Sequence, residues 1–251
     1  MEKIQVFDAR MTYGRPFLGA QPEMTLAETM AEAEAERAVV VHRELVWLPP
    51  CRTMPLVKDR TAKTEGAYGL YLLLPTLPGE MPPVEELAKT FQRDRIAGFY
   101  LCQEEFNVPY HPAMFRDEFA ACEALSIPIF YHRDGKNSFE YLAEIMERHP
   151  KLKVVLSVNE EWPNARKIYP LMKAYPGIFL CLSEQVWMGA IEDMVDKFGS
   201  ERLLYSSSYP VRYPGGTVMM VQAANITEED KKNIFYKNME TLIGGIACDS
   251  L

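Results

Sequence analysis

Short apolar runs recur along this chain at intervals of roughly thirty residues, the spacing of a strand followed by a helix. Most of these runs are continuously apolar rather than alternating, as expected for parallel strands that helices cover on both faces. We predict eight strands, at Lys3–Ala9, Ala38–His42, Ala67–Leu74, Ile96–Cys102, Ile127–His132, Lys153–Val158, Ile178–Leu182 and Arg202–Ser206.

In the segments between the runs, apolar residues recur at the spacing of a helix. The capping box Thr25-Leu-Ala-Glu28 opens one helix, and Gly199 is typical of a left-handed residue that ends another. The Pro-rich segments Leu48–Pro55 and Pro75–Pro83 indicate loops. The predicted helices are Thr25–Arg37, Pro83–Asp94, Pro112–Leu125, Ser138–Arg148, Pro163–Tyr175, Ala190–Phe198 and one that begins at Thr227.

Alternation of strands and helices over 251 residues predicts a single (β/α)8 TIM barrel domain spanning residues 1–251. The alternative is an open, doubly wound sheet, which has the same alternation of strands and helices. No G-x-G-x-x-G follows the first strand, which disfavours a dinucleotide-binding fold.

Composition narrows the class of partner. The net charge is −8 and no Lys/Arg cluster occurs, so we expect no nucleic acid partner. No apolar run is long enough for a membrane span, and no apolar leader segment follows Met1. The five cysteines show no zinc-type spacing, and their odd number favours reduced thiols and a cytoplasmic location.

One stretch carries a family resemblance. Residues 202–210 read R-L-L-Y-S-S-S-Y-P and resemble the last barrel strand, R-L-L-F-G-S-D-Y-P, of the metal-dependent amidohydrolase superfamily, in its amidohydrolase 2 branch. Residues 6–14 resemble the opening I-D-x-H-x-H-x-G of that family, and residues 127–132 resemble its fifth strand. The resemblance covers most of the chain and implies the same barrel.

The resemblance also implies where a catalytic metal would be held. The five matching ligand positions are Arg10, Thr12, His132, Val158 and Ser208, and only His132 keeps a ligand type. A catalytic metal normally needs about three protein ligands, and a guanidinium has no lone pair to offer. We therefore predict a metal-independent site and no other cofactor.

Charge counting gives Arg10 a possible role in place of the metal. In the family, a metal dication and an Asp carboxylate together give the site a net charge of +1. If both are lost, the guanidinium of Arg10 restores that single positive charge. Strand alternation puts Asp8 and Arg10 on one face. A buried guanidinium needs a partner, which we expect to be Asp8, Glu160 or an anionic ligand.

The leading hypothesis is a metal-independent hydrolase, lactonase-like, or a related lyase that acts on a small anionic substrate. Arg10 would polarise the substrate and His132 would act as acid and base. Other polar residues at strand ends are candidates for substrate binding: Asp8, Thr12, Asn159, Glu160, Ser208, Tyr209 and Arg212.

Two alternatives stay open. One is a catalytically inactive, ligand-binding pseudo-enzyme of the same fold. The other is a metal-dependent hydrolase whose site is rebuilt around His132 with His42, Asp134 or Glu160. The sequence also leaves open whether the chain pairs as a homodimer.

Overall fold

Eight parallel strands form the centre of the protein, arranged in the order in which they occur along the chain. The computed structural model describes residues 4–14, 23–101, 108–133, 139–158, 165–183 and 188–248. The strands β1 to β8 are Phe7–Tyr13, Arg37–His42, Ala67–Leu72, Ile96–Leu101, Ile129–Arg133, Val154–Val158, Ile178–Cys181 and Leu203–Leu204.

Backbone hydrogen bonds join the last strand segment to the first. The Ala9 amide donates to the Tyr205 carbonyl at 2.9 Å, and the Ser208 amide donates to the Arg10 carbonyl at 3.0 Å. The Thr12 amide donates to the Tyr209 carbonyl at 2.8 Å. These bonds close the sheet, so the predicted (β/α)8 barrel is confirmed.

Helices lie between the strands, as their apolar spacing predicts. Their bounds, from α1 to α10, are Leu26–Glu32, Pro50–Lys63, Val84–Asp94, Arg116–Ala124, Phe139–Arg148, Ala165–Ala174, Ala190–Phe198, Pro214–Ala223, Glu228–Lys232 and Asn238–Gly244. A π-helical turn, Asn233–Lys237, joins α9 to α10 and packs against β1 and β8.

The predicted ends of several elements are wrong, those of β1 and α1 among them. Strand β1 begins at Phe7 and runs to Tyr13, because the polar side chains of Asp8 and Arg10 find partners inside the barrel. Helix α1 stops at Glu32, before the left-handed Glu34, although its capping box at Thr25 is present.

Helix α2 was missed, because the prolines of Leu48–Pro55 were interpreted as a loop. Pro50 takes the first helical position, where its missing amide costs nothing, and Pro55 is accommodated within the helix. Helix α8 was also missed. No helix in the described ranges is long and apolar enough to cross a membrane.

Candidate functional site

The guanidinium of Arg10 lies where the carboxyl ends of four strands meet. Its Nη1 donates to Ser157 Oγ on β6 at 2.9 Å and to Ser208 Oγ after β8 at 3.0 Å. Its Nη2 donates to Nε2 of His132 on β5 at 3.2 Å. A guanidinium presents its donors in a rigid plane, so these contacts fix both its position and its orientation.

Serine hydroxyls surround the Arg10 cluster. The hydroxyls of Ser183 and Ser208 are 2.8 Å apart, and the Ser183 amide donates to Ser206 Oγ at 3.0 Å. Ser183, Ser206 and Ser208 are all buried. A hydroxyl can donate as well as accept, so this shell can rearrange its hydrogen bonds around a bound anion.

The backbone at Ser208 is unusual. Its φ of 55° is in the left-handed region, which Asp and Asn enter more readily than Ser. The conformation is supported by hydrogen bonds from the Ser208 amide to the Arg10 carbonyl and from the Tyr209 amide to Ser207 Oγ. It turns the chain so that Ser208 Oγ faces Arg10.

His132 is a neutral acceptor in this arrangement. Burial, with the nearby Arg10 charge, lowers the pKa of His132 to about 3. Because Nε2 accepts from Arg10, the proton of the neutral ring is on Nδ1. The role of His132 as acid and base stays a prediction, and it requires Arg10 first to release Nε2.

Asp8 accepts hydrogen bonds from the backbone on either side of the site. Its Oδ1 accepts from the Arg10 amide at 2.9 Å and from the Ser207 amide at 3.0 Å. The side chain is buried, and this burial raises the pKa of Asp8 to about 6. Asp8 thus ties β1 to the chain after β8 through backbone groups.

The barrel interior next to the guanidinium is nearly filled. A cavity of about 10 Å³ is lined by Arg10, His132, Ser157 and Cys181 among others, which is room for about one water molecule. We call the end of the barrel at which the carboxyl ends of the strands meet its mouth. A larger ligand can therefore reach Arg10 only from this mouth.

The described contacts of the other predicted site residues are with groups other than the Arg10 side chain. The Tyr209 hydroxyl donates to Glu32 of α1 at 2.6 Å, on the outer side of the barrel wall. Thr12 and Arg212 are half-buried near the mouth, where the Arg212 amide donates to the Ser208 carbonyl at 3.3 Å. The remaining candidates, Asn159, Glu160 and Asp134, lie outside the described residues.

Ser157 is a site residue that the sequence interpretation missed. The resemblance pointed to Val158 on β6, but the side chain that reaches Arg10 belongs to Ser157. A polar residue within the apolar run Val154–Val158 is the signal that could have found it. Strand alternation then turns Val158 away from the interior.

The described residues do not fit a catalytic metal. No group of three or more His, Cys, Asp or Glu side chains comes together in the described ranges. The guanidinium of Arg10 lies beside His132, and the neighbouring oxygens are neutral hydroxyls. A divalent cation prefers carboxylates and imidazoles and would be repelled by Arg10.

His42 belongs to a different cluster. It is fully buried at the end of β2, with its ring edge against Tyr13 at a centroid distance of 6.1 Å. Burial, with the charge of Arg60, lowers the pKa of His42 to about 3. No described hydrogen bond joins it to the Arg10 cluster, so the described residues give no support to a metal site shared by His42 and His132.

A family comparison agrees with this barrel. The model described as amidohydrolase, of the amidohydrolase 2 type, matches residues 17–244. The chain belongs to the amidohydrolase family. The match spans most of the barrel, including His132, Ser157 and Ser208. A search of curated proteins finds no match.

Solved structures share the amidohydrolase barrel at low identity. The 2,6-dihydroxybenzoate decarboxylase from Rhizobium has a TM-score of 0.65 at 13% identity, over 96% of this chain and 99% of that chain. The 5-carboxyvanillate decarboxylase from Novosphingobium aromaticivorans, with bound manganese, has a TM-score of 0.70 at 12% identity, over 97% and 98%. Amidohydrolase 2 from Bifidobacterium longum has a TM-score of 0.66 at 14% identity, over 96% and 99%. At this identity the likeness shows the fold.

Proposed function

We propose that this amidohydrolase-family barrel acts on a small carboxylate without a metal, as a hydrolase or a lyase, and that Arg10 holds the carboxylate. The observation that carries the proposal is the position of the Arg10 guanidinium, among His132, Ser157 and Ser208 at the carboxyl ends of the strands. Active sites of this barrel type lie at that end.

The chemistry of the cluster suits a carboxylate. Among the described residues, Arg10 donates to two hydroxyls and an imidazole. A carboxylate accepts from a guanidinium in a paired, charge-assisted geometry and forms stronger hydrogen bonds than neutral acceptors do. Ser157 and Ser208 could then rotate and donate to the same ligand.

The solved neighbours support the choice of ligand class. Two of them are named as decarboxylases of aromatic acids, 2,6-dihydroxybenzoate and 5-carboxyvanillate. The first was solved with 2,6-dihydroxybenzoate bound. An aromatic or lactone-type acid is therefore the first class of substrate to test for this chain.

Hydrolysis would use His132 after the substrate has entered. Burial and, to a smaller extent, the Arg10 charge lower the pKa of His132. A carboxylate that takes over the donors of Arg10 frees Nε2 of His132 and offsets that charge. His132 could then accept a proton from water while the resulting hydroxide adds to the substrate carbonyl. The same imidazolium would return the proton to the leaving oxygen.

Binding without turnover is the second candidate. It is favoured by the pKa of His132, because an imidazole whose pKa is about 3 is a weak base. In that case the mouth would bind the same acid, and the protein would release it unchanged.

Turnover by chelator-treated protein separates the two candidates. Wild type is incubated with a panel of carboxylated lactones and hydroxybenzoates, and products are followed by chromatography. The proposal predicts turnover that survives the chelator, that is lost in Arg10→Met and that is greatly reduced in His132→Gln. Arg52→Met, which removes an exposed cation on α2, is the matched control and should retain activity.

Three outcomes decide the matter. Binding without product in any reaction favours the second candidate. Activity that disappears with the chelator and returns with a divalent metal contradicts the metal-independent assignment. Activity that persists in Arg10→Met contradicts the role of Arg10.

A further inference from the structure

A groove on the outer wall of the barrel has the size of a ligand site. It lies between α1 and α8 and has a volume of about 400 Å³, within the usual range for small-molecule pockets. Its floor is formed by Ile4 and Val6, just before β1, and by Tyr205 after β8. It is a different place from the mouth that holds Arg10.

Two carboxylates lie along one side of the groove. Glu32 and Glu34 are at the end of α1, and both are exposed. Neither makes an ion pair with a Lys or Arg in the ranges that the structure describes. Glu32 accepts from the Tyr209 hydroxyl, and a carboxylate has further lone pairs for a second donor. This side of the groove therefore favours a positively charged ligand.

The hydroxyl of Tyr205 marks the floor. Tyr205 is 1% exposed and lines the groove, and its hydroxyl makes no hydrogen bond within the described part of the chain. Burial, with the charges of Asp8 and Glu34, raises the pKa of Tyr205, so the hydroxyl stays protonated. This hydroxyl has no described protein partner and belongs to a side chain that lines the groove, so a ligand or water in the groove can hydrogen-bond to it.

The other walls are apolar and aromatic. Val6, Ala33 and Val218 supply aliphatic surface, and the ring of Tyr213 lies over Gly215. Tyr213 is 81% exposed, so its ring is accessible to a ligand. Aromatic faces attract organic cations, because the ring carries negative charge density above its plane.

We propose that this groove binds a small organic cation, of the alkylammonium class. The ammonium group would lie between the carboxylates of Glu32 and Glu34 and the face of Tyr213, and the alkyl part would cover Val6 and Val218. An inorganic dication is a poorer match, since Mg²⁺ and Ca²⁺ need six or more oxygen ligands and gain nothing from apolar walls. The proposal is independent of the reaction at the mouth.

Titration calorimetry with n-butylammonium chloride tests the site, with sodium chloride of equal ionic strength as the reference titrant. The expected result is saturable binding of one cation per chain. Glu34→Gln and Tyr213→Ala should each weaken that binding roughly threefold or more, because each removes one protein group that contacts the cation. Both residues are exposed, so neither change should prevent folding.

Two matched variants serve as controls. Glu65→Gln removes an exposed carboxylate elsewhere on the surface and should bind n-butylammonium as wild type does. Arg10→Met changes the mouth and should also leave this binding unchanged, which separates the groove from the proposed active site.

Several results would overturn the assignment. One is the absence of saturable binding beyond that of sodium chloride. Another is equal affinity in wild type, Glu34→Gln and Tyr213→Ala. A third is Mg²⁺ binding tighter than that of n-butylammonium with the same dependence on Glu34, which would make the groove an inorganic cation site.

Discussion

At the scale of single residues, the site depends on what Arg10 touches. Among the described residues, His132 on β5, Ser157 on β6 and Ser208 after β8 contact its guanidinium, and Asp8 accepts from its backbone amide. Each partner acts through a short polar contact that a single substitution can remove. The chemistry of the site is therefore open to test one side chain at a time.

Asp8 predicts a pH dependence of stability. Its folded pKa is about 6 and its ordinary pKa is 3.8, so the folded state keeps a proton that the unfolded state releases. The tighter binding of this proton by Asp8 stabilises the folded state. The stabilisation is complete below about pH 4 and is lost as the pH rises through about 6. Asp8→Asn keeps the Oδ1 acceptor and removes the titration.

The free energy of unfolding of Asp8→Asn, relative to wild type, should therefore increase from pH 4 to pH 7. The expected change is on the order of 2–3 kcal/mol. Urea unfolding at several pH values measures it. Parallel stability curves for the two proteins would show that Asp8 is not a buried titrating group.

Restoring the family's ligands should restore a metal site. The triple variant Arg10→His, Thr12→His, Ser208→Asp removes the guanidinium and returns two imidazoles and a carboxylate beside His132. The left-handed φ of 55° at Ser208 suits Asp at least as well as Ser. Zinc titration should show binding of one ion that wild type lacks. A folded triple variant that takes up no zinc would contradict the assignment of these positions.

At the scale of elements, the strand pattern predicted the barrel well. Continuous apolar runs located all eight strands, since burial on both faces leaves a strong signal. Helices α2 and α8 were missed, because Pro50, Pro55, Gly215 and Gly216 suggest a loop when neighbouring packing is unknown. Tertiary contacts override such local preferences.

The site was predicted less completely than the fold. Arg10, His132 and Ser208 were picked from the family motif, and the structure brings them together. Ser157 was missed because a shift of one residue along a strand reverses the direction of a side chain. The outward turn of Tyr209 onto Glu32 depends on where α1 packs, and motif spacing carries no information about that.

Helix α2 is attached to the barrel by a partly buried ion pair. Arg60 donates to both oxygens of Glu44 at 2.7 and 2.9 Å and lies 5.0 Å from the ring centroid of Tyr13. Burial opposes ionisation of Glu44, but its hydrogen bonds from Arg60 hold the pKa of Glu44 below its usual value. The pair thus connects α2 to the loop after β2.

Arg60→Met should lower the free energy of unfolding by roughly 2–3 kcal/mol, because it leaves the Glu44 carboxylate buried without its partner. The double variant Glu44→Gln, Arg60→Met should recover part of that loss. Urea denaturation of the single and double variants measures the coupling. A loss within about 0.5 kcal/mol, as for an ordinary surface substitution, would contradict this view of α2.

At the scale of the whole molecule, the chain keeps the architecture of an amidohydrolase barrel. The strands bring their carboxyl ends together around the guanidinium of Arg10. The molecule also buries two neutral histidines, His42 and His132, whose pKa values are lowered to about 3.

Buried neutral histidines predict acid sensitivity of the fold. Below its ordinary pKa of 6.5, His42 gains a proton in the unfolded state only, so its contribution to stability is lost as the pH falls from 6.5 towards 3. His42→Phe keeps the ring against Tyr13 and removes the titration.

Between pH 6.5 and 4 the wild type should lose on the order of 3 kcal/mol more stability than His42→Phe. The measurement is the pH dependence of the free energy of unfolding for the two proteins. An identical acid dependence would mean that His42 is protonated in the folded state.

The most direct test of the central claim is calorimetric titration of benzoate into chelator-treated protein. Wild type and the control Arg52→Met should bind benzoate alike. Arg10→Met should lose about tenfold or more in affinity, the equivalent of one charge-assisted contact of roughly 1.5–3 kcal/mol. Arg10→Lys should retain part of it, since an ammonium group cannot make the paired contact. If Arg10→Met binds benzoate as tightly as wild type, Arg10 is a structural residue and the account of the site is wrong.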